Sequence, residues 1–152
     1  DQPYKFVATW AIDEWSKIGL KVTQRVLPTG PFYEALRSGT FEVAVEFNCQ
    51  NMVNPLLDVA KVLPRSVYPE NYGGYEDAKS IELYDKMANE TDPKAQRVAM
   101  RAFEKHTMDT MVHEIVLPYW YRIILQRSYV KGWKISPSHY LNQDLANVWL
   151  DK

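Results

Sequence analysis

The side chains best equipped for chemistry here are two histidines in a periodic segment, a single cysteine and a run of amides. His106 and His113 stand seven residues apart. On a continuous helix that is about two turns, so both would point the same way but lie roughly 10 Å apart along the axis. That is too far to hold one ion, and the four-residue histidine spacing of zinc proteases is absent. The pair reads as two helix histidines near a packing surface. Cys49 is the only cysteine, which excludes an internal disulfide and a cysteine-built zinc site. It belongs to no nucleophile signature, no Gly-x-Ser-x-Gly elbow occurs, and Gly73-Gly74 stands in no phosphate-binding motif. Glu42 and Glu46 share one strand face and read as solvated. The inventory predicts no enzyme, no catalytic residues, no metal and no cofactor.

The amides are more informative. Asn48-Cys49-Gln50-Asn51-Met52-Val53-Asn54-Pro55 is polar and uncharged, and it follows an alternating segment that ends at Phe47. In open α/β sheets ligands bind beyond the carboxyl ends of strands. Phe47, Asn48, Cys49, Gln50, Asn51 and Met52 are therefore the candidate ligand-binding residues, offering donors and acceptors without a desolvated charge. The aromatic run Pro118-Tyr119-Trp120-Tyr121-Arg122 reads as a strand packed in a sheet.

The elements that must position these residues follow from periodicity. Val7, Ala11, Trp15 and Ile18 mark one face of a first helix, with Gly19 at its left-handed end. Lys21 to Leu27, with Val22 and Val26, reads as a strand. Pro28-Thr29-Gly30-Pro31 then opens a short helix from Phe32 to Ser38, closed by Gly39. Phe41, Val43, Val45 and Phe47 alternate with Glu42, Ala44 and Glu46 as a half-buried strand. Helices are expected from Leu56 to Val62, from Asp77 to about Glu90, and from Pro93 onward with Asp92 as cap. Ala95, Ala99, Phe103, His106, Thr110 and His113 would share a face of the last. Tyr119 to Arg127 is a further expected strand, and the chain from Tyr129 reads as mostly irregular. The expected fold class is α/β, a mixed sheet flanked by helices.

At 152 residues the chain has one domain's length, and 46% apolar against 24% charged residues excludes a disordered tail. A formal charge of −1 gives no electrostatic reason to expect nucleic acid. The opening Asp1-Gln2-Pro3-Tyr4-Lys5 shows no signal peptide and no initiator Met, and reads as the start of a fragment.

Several stretches together carry a resemblance. Trp15-Ser16-Lys17-Ile18-Gly19-Leu20-Lys21-Val22 is followed by Phe32-Tyr33-Glu34-Ala35-Leu36-Arg37-Ser38-Gly39-Thr40-Phe41-Glu42. Asn71-Tyr72-Gly73-Gly74-Tyr75, Glu90-Thr91-Asp92-Pro93 with Arg97, and Leu117-Pro118-Tyr119-Trp120-Tyr121 come next. In order and spacing they resemble the C-terminal part of the family 5 extracellular solute-binding proteins, the peptide, dipeptide and nickel-type binding components of bacterial ABC importers.

The resemblance implies a type II periplasmic-binding-protein-like lobe that closes on a small or peptide-like ligand and passes it to membrane permease subunits. Residues 1–130 would be most of the C-terminal ligand-binding lobe, and 131–152 a tail returning towards an N-terminal lobe that is not part of this chain. It also implies a periplasmic or extracytoplasmic location. The alternative is a stand-alone α/β enzyme or regulatory ligand-binding domain. In peptide-binding members an acidic residue four positions before a proline pairs with the peptide's ammonium group. Counting back from Pro55 gives Asn51, and Asn48 replaces a tryptophan often found seven before that proline. An amide lacks the charge-assisted bond of a carboxylate, so either the ligand has no free ammonium or Glu46 neutralises it.

Overall fold

A computed structural model describes residues 4–46, 54–117, 125–134 and 145–152. The first helix, α1, runs Tyr4–Lys17, and α2 runs Thr29–Ser38. Each ends at a glycine with positive φ, Gly19 at 89° and Gly39 at 68°. The Leu20 and Thr40 N–H groups reach back to the Trp15 and Ala35 carbonyls, which satisfies acceptors that the last turns would otherwise leave open. Pro55–Val59 forms α3, capped by the Asn54 side chain, which accepts from Leu56 N–H at 3.0 Å. A 3₁₀ turn, Ala60–Val62, continues it. Ala78–Ala88 is α4 and Pro93–Glu104 is α5. The Asp92 carboxylate caps α5 through Ala95 N–H, with Pro93 in the first turn, as the sequence predicts.

The core lies between the end of α3 and α5. Ala60, Val62, Leu63 and Phe103 form it, with Val59, Tyr68, Leu83 and Tyr84 packed around them. The Tyr84 ring meets Phe103 edge-on at 6.2 Å, and its hydroxyl donates to the Leu56 carbonyl at 3.1 Å. One side chain thus ties α4 to both α5 and α3. The first two helices meet through Tyr4 and Phe32, whose rings stack at 6.3 Å.

The expected mixed sheet is not what these residues build. Helix accounts for 49% of the described residues, and their only sheet is an antiparallel pair, β1 (Val130–Lys131) with β2 (Trp149–Leu150). Residues 21–27 and 41–46 form no strand and pair with none among the described residues, and 42–43 is a bend. Alternation identified chain that can lie on a sheet; it does not supply the neighbour that makes the backbone bonds. Val43, expected on the buried face of a strand, is exposed, and so are Val22 and Val26. The expected strand at Tyr119–Arg127 lies largely outside the described residues, and 125–127 forms no regular structure. The tail, read as irregular, supplies the described sheet.

Candidate functional site

The candidate residues Phe47, Asn48, Cys49, Gln50, Asn51 and Met52 lie outside the described residues. Both flanks are described. On one side Asn54 caps α3. On the other, Glu46 is exposed, as the solvated reading expects. Burial of its carboxyl group raises its pKa; the nearby Lys61 ammonium opposes the rise, and the Glu114 and Glu70 carboxylates add to it. Glu114 is raised in the same way, by burial first, with Lys61 and His113 opposing. Glu46 and Glu114 are both exposed residues.

Beside this group runs the loop from Pro64 to Tyr75, pinned by one buried amide. Asn71 is 1% exposed. Its Nδ2 donates to the Leu63 carbonyl at 2.8 Å and to the Tyr75 carbonyl at 3.3 Å, and its Oδ1 accepts from Gly74 N–H at 3.0 Å. Arg65 Nε donates to the Asn71 carbonyl at 2.9 Å. Every polar function of Asn71 thus holds the loop that carries Tyr68, Tyr72 and Tyr75. Burial raises the pKa of each phenol, and a neighbouring carboxylate raises it further, Glu70 for Tyr68 and Tyr72 and Glu114 for Tyr75.

The histidine reading needs correction. His106 and His113 are not two turns apart on one helix. The α-helical pattern ends at Glu104, Lys105–Thr110 winds as π-helix, and Val112 reverses the chain at φ 50°. Thr107, fully buried, prepares the change by donating its hydroxyl back to the Phe103 carbonyl at 3.0 Å. His113 N–H then closes on the Thr107 carbonyl at 2.8 Å. Both imidazoles consequently meet one carboxylate oxygen. His106 Nε2 lies 2.7 Å and His113 Nε2 3.0 Å from Asp77 Oδ2.

Burial alone would raise the Asp77 carboxyl. Hydrogen bonds from His113, from His106 and from Lys79 N–H outweigh it and hold the group below the usual carboxylate range. Asp77 is therefore ionised and only accepts, so each imidazole must carry its proton on Nε2. The other oxygen, Oδ1, caps α4 through Lys79 N–H at 2.9 Å. Tyr75 stacks on the His113 ring at 4.1 Å. Sequence spacing concealed this clasp, because it assumed an unbroken helix; the cap position of Asp77 was the one visible hint.

What the clasp can do follows from its geometry. Both oxygens of Asp77 are committed to fixed donors, and the His113 side chain is 5% exposed, so the trio serves as a structural tie between α4 and the end of the π-helix. Among the described residues no group of three or more histidine, cysteine or acidic side chains is arranged to hold a metal ion. No protein-family profile, curated protein or solved structure matched this chain.

Proposed function

We propose that this chain is a solute-binding component of an ABC importer, which captures a small organic or peptide-like molecule outside the cytoplasmic membrane and hands it to permease subunits without transforming it. Support comes from the ordered run of sequence elements that resembles the family 5 solute-binding proteins. The observation that carries the reading to a place is the setting of residues 47–52. In the sequence this uncharged, amide-rich stretch lies between Glu46 and the α3 cap at Asn54. Side-chain amides offer both donors and acceptors, which suits a small polar organic ligand.

With Asn51 in place of an acid, ordinary peptides with free α-amino termini should bind weakly. Amine-bearing ligands should gain on Asn51→Asp.

The test is the pair Asn48→Ala and Asn51→Ala, read by ligand affinity and melting temperature together. The expected result is a loss of affinity of about tenfold or more with stability changed by less than about 0.5 kcal/mol. Unchanged affinity with a stability loss of about 2 kcal/mol would make these amides internal structural bonds and overturn the assignment.

A further inference from the structure

One side of α5 and of the residue that follows it is predominantly basic. Lys94, Arg97, Arg101 and Lys105 follow steps of three, four and four, which keeps them on one side of the helix. Ala99 and Phe103 are buried on the opposite side. All four cationic residues are exposed, and among the described residues none of them forms an ion pair. Glu104, three residues after Arg101, is the one acidic residue within α5 and shares this side, leaving the cations in excess. For a chain whose net charge is −1, this is a local excess of positive charge.

Alongside the stripe, where α5 meets α3 and the end of α4, opens a pocket of about 220 Å³. Its apolar walls are Pro55, Leu56, Met87, Pro93 and Met100, and Arg97 stands on its rim. Gln96 also borders it, but its amide already donates to the Met87 and Glu90 carbonyls at 3.3 Å each. Pockets that enclose a whole small ligand measure roughly 300–1,000 Å³. This one is smaller and suits a single large apolar side chain.

We propose that this face of α5 docks an acidic peptide segment of a partner protein, with one large apolar side chain in the pocket and carboxylates on Lys94, Arg97, Arg101 and Lys105. Charge complementarity fixes the sign of the segment. Arg97 is the hinge of the arrangement, since its guanidinium can pair with a carboxylate bidentately beside the pocket mouth. The stripe spans about 16 Å of helix axis, the length of about five extended residues, so a short segment reaches every cation. Pro55 and Leu56 stand close in sequence to the 47–52 loop but the four cations do not, so the charge-reversal variants test this surface apart from the solute-binding reading.

The test titrates the whole chain with a fluorescein-labelled, glutamate-rich octapeptide carrying a central leucine. Comparison probes are the same peptide with lysine for glutamate, the same with alanine for leucine, and vesicles of phosphatidylcholine with phosphatidylserine. The expected result is saturable, salt-sensitive binding of the glutamate peptide. Arg97→Glu with Arg101→Glu should weaken it at least about tenfold, and the alanine peptide should bind several-fold more weakly. Melting temperatures of the variants show whether they fold; Lys94→Gln with Lys105→Gln, at fully surface positions, provides a second pair should the first unfold. No saturable binding, equal binding of the lysine peptide, affinity indifferent to a folded variant pair, or binding to vesicles alone would overturn the proposal.

Discussion

Asp77 concentrates more of the molecule's polar organisation than any other described side chain. Its two oxygens serve the α4 cap and two imidazoles; an amide here can keep the cap through its oxygen but turns an NH₂ group towards both imidazole donors. Asp77→Asn should cost about 1–3 kcal/mol, measured by denaturant unfolding at neutral pH. The pH dependence has a definite sign. Because the folded carboxyl is held below its ordinary value, its contribution is complete above about pH 4 and is lost as pH falls through the folded pKa. The stability gap between wild type and Asp77→Asn should therefore narrow only in acid. Glu114 has the opposite sign. Its folded pKa is raised above 4.5, so its favourable contribution is present below that value and lost as pH rises through the folded pKa. Glu114→Gln should gain on wild type in melting temperature between about pH 4.5 and about pH 7. A gap that stayed constant with pH would contradict either assignment. At this scale the sequence was half legible. Asp92 and Pro93 announce a helix start by local chemistry alone, whereas the convergence on Asp77 depends on a π-helix and a reversal that no spacing encodes.

Among the elements, helices were readable and strands were not. Helical periodicity, caps and terminal glycines act within a few residues, so α1, α2, α4 and α5 appear close to where the sequence puts them. A strand needs a partner elsewhere, and 21–27 and 41–46 find none among the described residues. The element with the strongest internal tension is the turn after the π-helix. Val112 is β-branched at φ 50°, a region that disfavours such side chains by about 1–2 kcal/mol, and it is exposed, so little packing is lost on its removal. Val112→Gly should leave stability unchanged or raise it by up to about 1 kcal/mol while preserving the clasp, a result that thermal unfolding would show. A clear destabilisation would mean that the valine side chain itself holds the turn. Gly132, in contrast, has no latitude. Its φ is 77°, and a Cβ there would overlap the Asn147 carbonyl. Gly132→Ala should therefore separate β1 from β2, seen as increased amide exchange at Val130 and Lys131.

On the scale of the whole molecule, the described apolar side chains are unevenly used. The core gathers around Phe103 and Leu63, while Phe6, Trp10, Ile18, Leu20, Val26 and Val43 are exposed along the first part of the chain. Removing the core ring should show where the stability resides. Phe103→Ala should cost about 3–5 kcal/mol, and the same truncation at exposed Phe6 less than about 0.5 kcal/mol, by chemical denaturation. The contrast also explains which functional clues survived from sequence to structure. The Asn-Tyr-Gly-Gly-Tyr element, singled out by resemblance, turns out to position a tyrosine loop through Asn71, a role that its residue types alone did not reveal. The binding of a solute at residues 47–52 remains the central claim. Its most direct test is isothermal calorimetry on the protein, titrated with a panel of small organic solutes, N-acetylated peptides and free peptides, with each mixture then analysed by mass spectrometry. The account predicts saturable one-to-one binding of a solute recovered chemically unchanged, with free peptides the weaker class; conversion of the bound solute into a product, or binding that survives replacement of both Asn48 and Asn51 by alanine, would contradict it.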